Sequence, residues 1–355
     1  MSEYGCACAQ FTTLRVGGPC HRLVIADTEN DVVSTVLTCD GRKTPLLVLG
    51  GGSNVVIADA GFPGTCLKMN TKGAVYHVTD NILDVAAGED WQDVVDRSVA
   101  FGLSGIECLS GIPGTSGGAV IQNIGAYGQE ISSVVVTVIA FDRLLKRKVI
   151  ITRKECDFAY RSSLFKKRKE RYVVLRILMQ LEDAHGLSSP VAHEEVARSL
   201  QVQVGDRVPL PLVSSTILRI RQSKGMLLDP DDHDTWSAGS FFLNPVLTTK
   251  EFAELQQRVA DKVGLQMSQY MPFFPTIDRQ IKVSAAWLMQ QAGCGKGFCT
   301  QSSASLSSKH NLSITNRGDA TAADIVSLAR AVRDRVESTF DVRLIPEAVL
   351  IGCSV

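Results

Sequence analysis

The glycine-rich stretch at residues 105–133 constrains this chain more than any other feature. Six glycines fall within eighteen residues of it, between small or apolar side chains: Gly111, Gly114, Gly117, Gly118, Gly125 and Gly128. Glycine permits positive φ angles and a close approach of backbone to ligand, at an entropic cost. Backbone N–H groups that no side chain shields can converge on an anion such as phosphate. The pattern predicts an ordered loop around a diphosphate-bearing cofactor, and a purely structural glycine turn is the alternative.

A shorter glycine turn earlier in the chain, Gly50-Gly51-Gly52-Ser53-Asn54, joins two predicted strands at residues 46–49 and 55–58. It is another candidate for cradling a phosphate group. It does not match the dinucleotide-binding fingerprint, because the third glycine of G-x-G-x-x-G would fall on Val55 and no helix is predicted after it.

Length and composition limit the classes of protein that this chain can belong to. Its 355 residues predict two or three domains, and 45% hydrophobic with 21% charged residues is typical of a globular protein. Lysine plus arginine equals aspartate plus glutamate at 37 each, so no net charge favours nucleic acid or an anionic membrane. With no long apolar run and no signal-like start, we expect a cytoplasmic protein.

The ten cysteines do not form a recognisable metal-binding pattern. The pairs Cys6 with Cys8 and Cys294 with Cys299 lack both the spacing and the histidine partners of a zinc site. We therefore expect reduced thiols and no metal site.

Hydrophobic periodicity predicts helices and strands in irregular order, which favours α+β domains. Strands are predicted at 23–26, 46–49, 55–58, 134–141, 148–152, 172–181 and, interrupted by Pro346 and Glu347, at 342–351. Helices are predicted at 31–38, 91–102, 194–200, 213–224 and 284–291, with a long one capped at Thr321. The helix at 213–224 is predicted to open a further domain.

Three polar residues stand in surroundings that a hydrophobic core explains poorly. Arg161 lies between aromatic and apolar neighbours, where a partly buried guanidinium needs a carboxylate, phosphate or ligand. Ser240 lies in the aromatic segment 236–245, for which a plain core strand is the alternative. Glu347 follows a proline within a predicted strand, so a site role is plausible. The basic run 166–171 is interpreted as a solvated loop rather than a nucleic-acid patch.

Six motifs then occur in a fixed order: G-G-G-S-N, G-I-P-G-T-S-G-G-A-V-I-Q-N-I-G-A-Y-G, Y-R-S-S-L-F, A-G-S-F-F-L-N-P, K-H-N-L-S-I-T-N and P-E. Together, over about residues 12–352, they resemble the UDP-N-acetylenolpyruvoylglucosamine reductase (MurB) family of cell-wall enzymes. The resemblance implies an α+β, two-subdomain FAD-binding fold of the PCMH/VAO type, followed by an α+β substrate-binding domain. The implied FAD-binding domain is 1–212, with subdomains of about 1–72 and 73–212, and the substrate domain is 213–355.

The resemblance also implies the reaction and its partners. NADPH would reduce non-covalently bound FAD, which would pass a hydride to the enolpyruvyl group of UDP-N-acetylglucosamine enolpyruvate. The product, UDP-N-acetylmuramate, is a peptidoglycan precursor, so this oxidoreductase would serve cell-wall biogenesis, cell shape and division. A flavin is needed because no side chain stores a hydride. The implied partner is a UDP-sugar, with no nucleic acid or membrane, and we expect a monomer.

Matching motifs assign roles to individual residues. Arg161 would stabilise the enolate-like charge that the hydride leaves, and Ser240 would deliver the proton. Glu347 would lie beside that charge, either protonated or acting through an intermediary. Substrate binding would fall to Tyr160, Lys224 and Asn244. Cofactor binding would fall to Gly50, Gly51, Gly52, Ser53, Asn54, Gly111, Ile112, Pro113, Gly114, Gly117, Gly118, Ala119, Asn123, Gly125, Ala126 and Tyr127.

Two other functions stay open. The chain could be a flavin oxidase or dehydrogenase with another substrate, and in such enzymes His21 or Cys108 could tether the flavin covalently. It could also be a protein that binds a nucleotide without turnover. One position departs from the family pattern, because His193 stands where members often place a tyrosine over the substrate diphosphate, and we expect a surface histidine there.

Overall fold

A computed structural model of the chain describes residues 2–276 and 278–355. Within them the strands are β1 Ser2–Tyr4, β2 Cys20–Ala26, β3 Leu46–Leu49, β4 Val55–Ile57, β5 Phe62–Met69, β6 Ala74–His77, β7 Ile82–Ala86, β8 Leu103–Ser104, β9 Gly125–Ala126, β10 Gln129–Glu130, β11 Val135–Asp142, β12 Arg147–Thr152, β13 Tyr172–Gln180, β14 Glu182–Asp183, β15 Val246–Leu247, β16 Phe273–Pro275, β17 Ile281–Val283, β18 Ala304–Leu306, β19 Ile314–Asn316 and β20 Val349–Ile351. The helices are α1 Glu29–Arg42, α2 Trp91–Ala100, α3 Ser116–Gln122, α4 Leu164–Lys167, α5 Glu194–Leu200, α6 Leu210–Ser223, α7 Thr249–Val263, α8 Leu265–Gln269, α9 Ala285–Gln291 and α10 Ala322–Phe340.

The chain folds into two compact units, each built from more than one segment. The first consists of Met1–Cys6, Cys20–Gly52 and Pro63–Leu227, and the second of Ala7–Pro19, Ser53–Phe62 and Leu228–Val355. Among the described residues, no helix is both long enough and apolar enough to pass through a lipid bilayer.

The first unit contains two main sheets. The larger has the order β12-β11-β13-β7-β6 and is antiparallel throughout. Alternating apolar and polar residues predicted antiparallel strands for three of its members, β11, β12 and β13. The smaller has the order β1-β2-β5-β3, and β3 runs parallel to β5 with Leu49 opposite Lys68. Because β3 ends at Leu49, the first glycine turn begins at an edge where a parallel neighbour continues beside it.

Helix α2 sets the start of the longer glycine run. The Asp90 carboxylate accepts a hydrogen bond from the main-chain N–H of Gln92 at 2.8 Å, which caps the helix N-terminus. Trp91, buried in the core, donates through Nε1 to the carbonyl oxygen of Leu109 at 3.1 Å. This bond holds the chain at Leu109, two residues before Gly111, the first of the six glycines.

Helix α6 belongs to the first unit, although its sequence pattern predicted that it opens the C-terminal domain. Val213 and Ile217 on this helix are buried and pack with Cys108 and Val191 of the same unit. The amphipathic face therefore finds its partner in the preceding chain, and the boundary between the units falls at Leu227.

The second unit has a core that early segments of the chain help to build. Leu14, Val16 and Val56 are buried there together with the apolar face of α10. Strand β4 pairs in parallel with β20. The Asp59 carboxylate accepts bonds from the N–H groups of Ala322 and Ala323 at 2.8 and 2.9 Å, and so satisfies the first turn of α10.

The prediction of a strand over residues 342–351 is only partly correct. Strand β20 covers Val349–Ile351, and the residues before it form irregular structure with an isolated bridge between Phe242 and Pro346. Proline has no N–H to donate to a strand ladder, which explains why regular pairing begins after it.

Candidate active site

The first glycine turn packs against the second glycine run. A Cβ atom on Gly50 would lie 2.6 Å from Oγ1 of Thr115, and one on Gly51 would lie 2.5 Å from Cα of Gly114. Both separations are shorter than real Cβ contacts, so these positions require glycine because two loops meet. Gly52 adopts a positive φ of 66°, and Ser53 and Asn54, which follow it, belong to the second unit.

The glycine content of the longer run predicted an ordered loop. The structure instead has a helix, α3, that begins inside the run. Gly117 is the second residue of α3, and a Cβ there would lie 2.9 Å from Cβ of Ala87, the residue that follows β7. This close packing accounts for a helix despite the poor helix propensity of glycine. Gly111 and Gly114 precede the helix with positive φ angles of 75° and 128°.

Two features of this region fit a bound anionic cofactor. Gly118 is exposed, and the nearest atom to a Cβ there would be Oγ1 of Thr115 at 3.7 Å, which leaves open space above α3. The Thr115 hydroxyl is buried and has no hydrogen-bond partner within residues 2–276 and 278–355. A buried polar group without a partner is costly, and a ligand with phosphate oxygens could satisfy it.

Arg161 is held by main-chain carbonyls that follow α3. Its Nη2 donates to the carbonyl oxygen of Gly125 at 2.6 Å and its Nη1 to that of Asn123 at 3.3 Å. The Asn123 Nδ2 donates in return to the carbonyl of Ala159 at 2.9 Å, which ties the Y-R-S-S segment to the glycine run. Arg161 has a positive φ of 52°, and its guanidinium carbon lies 5.4 Å from the Tyr160 ring centroid.

Tyr127 and Lys224, predicted to bind cofactor and substrate, lie together in the first unit. The Lys224 Nζ is 5.7 Å from the Tyr127 ring centroid and forms a 2.6 Å ion pair with Glu195. His193 packs edge-on against Tyr127 at 5.4 Å and is exposed, as expected of a surface histidine. Burial raises the pKa of the Tyr127 phenol, so it remains a neutral donor.

Ser240 and Glu347 lie on neighbouring segments of the second unit. The N–H of Glu347 donates to the carbonyl of Phe241 at 2.8 Å, and the N–H of Leu243 donates to that of Ile345 at 3.0 Å. Phe241 is fully buried and Ser240 is partly exposed. The segment is not a regular strand, yet the core anchors its aromatic side chains while the serine stays accessible.

Asn244 has a capping role that limits its predicted contact with substrate. Its Oδ1 accepts a hydrogen bond from the N–H of Ala285 at 2.9 Å, at the first turn of α9. A nucleotide contact would have to use its Nδ2 or the remaining lone pair of Oδ1. Nearby, Thr13 donates through Oγ1 to the carbonyl of Ser237 at 2.6 Å, which anchors the chain before Ser240.

Sequence reasoning missed two charged residues of the first unit. Arg221 is buried, its Nε has no partner in the described residues, and a Cβ on Gly111 would lie 3.1 Å from that atom. Burial lowers the pKa of Arg221. Glu195 was missed because its pairing with Lys224 spans 29 positions. The R-I-R-Q-S-K sequence, with three cations on one helix end, was the available signal for Arg221.

Known proteins match this chain along nearly its whole length. Residues 20–146 match the family model of an FAD binding domain, and residues 229–351 match that of the UDP-N-acetylenolpyruvoylglucosamine reductase C-terminal domain. A UDP-N-acetylenolpyruvoylglucosamine reductase from Streptomyces coelicolor is 49% identical, covering 97% of this chain and 88% of the relative. One from Thermobifida fusca is 47% identical, covering 97% and 96%.

A solved structure supports the same fold. The crystal structure of UDP-N-acetylenolpyruvylglucosamine reductase (MurB) from Thermus caldophilus aligns with a TM-score of 0.65 at 22% identity, covering 99% of this chain and 98% of that one. The predicted α+β architecture with an FAD-binding part is thereby confirmed. With near-half identity along almost its entire length, the chain belongs to the UDP-N-acetylenolpyruvoylglucosamine reductase family.

Proposed function

We propose that this protein is a UDP-N-acetylmuramate dehydrogenase. It would use NADPH and FAD to reduce the enolpyruvyl group of UDP-N-acetylglucosamine enolpyruvate to the lactyl ether of UDP-N-acetylmuramate. The observation that carries the proposal is the 49% identity, over 97% of the chain, to a reductase named for that substrate. We further propose that it acts as a monomer in the cytoplasm, where UDP-sugars and NADPH are available.

The glycine turn and the glycine run would hold the FAD, whose isoalloxazine ring accepts a hydride from NADPH and passes it on. Support comes from the open surface above Gly118 and from the unpartnered hydroxyl of Thr115. Glycines such as Gly51 and Gly117 would act indirectly, because they let the two loops approach each other and the sheet. The first unit would thus be the main cofactor unit.

Arg161 would stabilise the negative charge that develops on the substrate carboxylate when the hydride arrives. A guanidinium remains charged at all relevant pH values and offers paired donors to a carboxylate. The two carbonyls that accept from Arg161 fix its orientation before the substrate binds, and such preorganisation is what makes charge stabilisation effective.

Ser240 would donate the proton to the carbon next to the one that receives the hydride. Serine is a weak acid in water, so this role requires a water-poor environment and a partner for the alkoxide. The buried Phe241 and Phe242 beside it support that environment. Glu347, on the paired segment, would contribute a hydrogen bond to the same developing charge or to its proton supply.

The test uses the two half-reactions separately. Purified protein should absorb near 450 nm from bound flavin, and NADPH oxidation should depend on the enolpyruvyl UDP-sugar. Ser240→Ala should leave flavin reduction by NADPH intact and slow flavin reoxidation by the enolpyruvyl substrate by about 100-fold or more. Ser338→Ala, an exposed serine on α10 of the same unit, is the matched control. Equal losses in both half-reactions for Ser240→Ala would contradict the role.

Enzymes of the oxidase alternative often tether their flavin, and this chain is poorly equipped to form such a tether through cysteine. Cys108 is buried, and this burial, with the nearby Glu107, raises the pKa of its thiol to about 12. The thiolate is the nucleophilic form, so Cys108 is a poor candidate for flavin attachment. Denaturation followed by gel filtration should release the yellow colour from the protein. Retained colour would favour the alternative.

A further inference from the structure

Lys68 is a half-buried cation without a carboxylate partner in the described part of the chain. Its Nζ donates to the carbonyl oxygen of Gly50, and no ion pair within residues 2–276 and 278–355 involves it. Burial, followed by the charge of Lys72, lowers the pKa of Lys68. A carbonyl dipole compensates an ammonium group only partly, so a cation kept out of water here needs a further explanation.

The position of Lys68 points to the first glycine turn. In the parallel pair of β3 and β5, Lys68 lies opposite Leu49, the last residue before Gly50. The Thr115 hydroxyl, which has no hydrogen-bond partner in the described residues, approaches the same Gly50 from the second glycine run. A lysine without a carboxylate partner and a hydroxyl without a hydrogen-bond partner, from separate parts of the first unit, therefore converge on one glycine.

Lys72 shows what a fully paired lysine looks like in the same neighbourhood. It lies four residues further along and also donates to a glycine carbonyl, that of Gly88, at 2.8 Å. Its Nζ is 3.6 Å from the buried carboxylate of Glu89, so its charge is matched within the protein. Lys68 has no such partner among the described residues, and the difference indicates that its counter-charge is a ligand.

We propose that Lys68 supplies the positive charge that binds the diphosphate of FAD, with Thr115 adding a hydroxyl hydrogen bond at the same point. This rests on the proposed use of FAD. Backbone N–H groups of a glycine turn give a diphosphate geometry but only partial charges, whereas an ammonium group gives a full charge and a strong hydrogen bond. The inference concerns this lysine, which none of the glycine motifs contains.

The experiment titrates apoprotein with FAD and with riboflavin, which has the same ring but no phosphate, and follows flavin fluorescence. Lys68→Met should weaken FAD binding by about tenfold to a hundredfold and leave riboflavin binding unchanged. Thr115→Val should produce a smaller loss with the same selectivity. Lys72→Met, the matched control, and Lys68→Arg should bind FAD within about threefold of the unsubstituted protein. Unchanged FAD binding by Lys68→Met, or equal loss for riboflavin, would overturn the proposal.

A second measurement avoids any folding defect of the variants. In the unsubstituted protein, FAD should slow the acetylation of Lys68 by an amine-specific reagent at least fivefold, as measured by mass spectrometry, while riboflavin should not. Lys72 in the same sample is the internal reference. If the protein binds no flavin at all, the proposed function fails. If it binds FAD but Lys68 remains unprotected, only this inference fails.

Discussion

The Arg161 region and the Ser240 region hold their key side chains in opposite ways. Arg161 is positioned through its own side chain, whose guanidinium donates to the carbonyls of Gly125 and Asn123. Ser240 is positioned through its main chain, because the following residue, Phe241, bonds to Leu312 and Glu347 on either side and is buried. Within the described residues, the hydrogen bonds that fix this segment are formed by its main chain and not by the serine side chain.

The two modes of support predict different sensitivities to substitution in the two regions. A guanidinium held by two carbonyls moves when either carbonyl moves, so changes in the glycine run should reach Arg161. A hydroxyl on a segment fixed by backbone pairing should keep its place when nearby side chains change. Substitutions around Arg161 are therefore expected to affect turnover more than substitutions around Ser240, except at the serine itself.

The largest effect is expected for Gly125→Ala, in the region that holds Arg161. A Cβ at this position would lie 2.7 Å from Cγ of Glu130 and 3.1 Å from Nη1 of Arg161, so the guanidinium must shift. Misplacement of a catalytic group by about 1 Å can cost about a hundredfold in rate, and we expect a loss of that size in kcat for the enolpyruvyl substrate. Stopped-flow flavin reduction by NADPH should remain normal. Gly41→Ala, where a Cβ meets nothing within 4 Å, is the control, and similar kcat values for both variants would contradict the expectation.

A smaller effect should separate glycines that serve packing from one that faces a ligand. Gly118→Ala has room for its Cβ and replaces a glycine within α3, so the free energy of unfolding of the apoprotein should rise by about 0.5–1 kcal/mol. The added methyl group should occupy space needed by FAD and weaken its binding about tenfold, the cost of modest overpacking. Urea unfolding and flavin titration measure the two quantities. A rise in both stability and FAD affinity would show that the cofactor lies elsewhere.

Thr13→Val tests whether the main chain alone keeps Ser240 in place. It removes the hydrogen bond from Oγ1 to the carbonyl of Ser237 and should cost about 1 kcal/mol of unfolding free energy. Because Phe241 keeps its main-chain partners, kcat should fall by less than about threefold, given that Ser240 stays in place. Steady-state kinetics and urea unfolding provide the measurements. A tenfold loss of kcat would mean that side-chain anchors matter as much here as at Arg161.

The smallest effect concerns acid stability, where both units should behave alike. Burial alone would raise the pKa of Asp234, but hydrogen bonds from Ser308 and the charge of Arg317 lower it. In the first unit, burial alone would likewise raise the pKa of Asp142, but hydrogen bonding with Arg171 lowers it. A folded-state pKa below the unfolded value of about 3.9 means stability present above that pH and lost as pH falls through the folded value.

Asp234→Asn and Asp142→Asn should therefore each flatten the decline in urea midpoint below about pH 4. Asp324→Asn, at the exposed cap of α10, is a suitable control because its pairing with Thr321 lies in solvent. A decline unchanged in the Asp142 variant but lost in the Asp234 variant would place acid sensitivity in the second unit alone.

Local patterns predicted most of the regular structure. Alternating apolar residues placed β11, β12 and β13 correctly, and the capping sequence at Thr321 correctly marked the start of α10. These elements depend on period and on caps, which a sequence displays directly. The motifs likewise brought out Arg161, Ser240 and Glu347, whose catalytic roles remain predictions.

Tertiary contacts decided what the sequence did not predict. The helix α3 forms across glycines because Gly117 packs on Ala87. The strand expected from residue 342 begins only at Val349, because Pro346 has no N–H to donate to a regular ladder. Lys68 resembles any strand residue in sequence, and only the pairing of β3 with β5 places it beside Gly50. Such residues acquire significance from neighbours that are distant along the chain.

The interleaved make-up of the second unit limits how the protein can be divided by an engineer. A fragment beginning at Leu228 would lack the strand that partners β20, the carboxylate of Asp59 and the apolar side chains of Leu14 and Val56. Expressed alone, it would present an open sheet edge and gaps in its interior, both of which promote aggregation. Any self-sufficient version of this half must be redesigned to carry residues 7–19 and 53–62 with it.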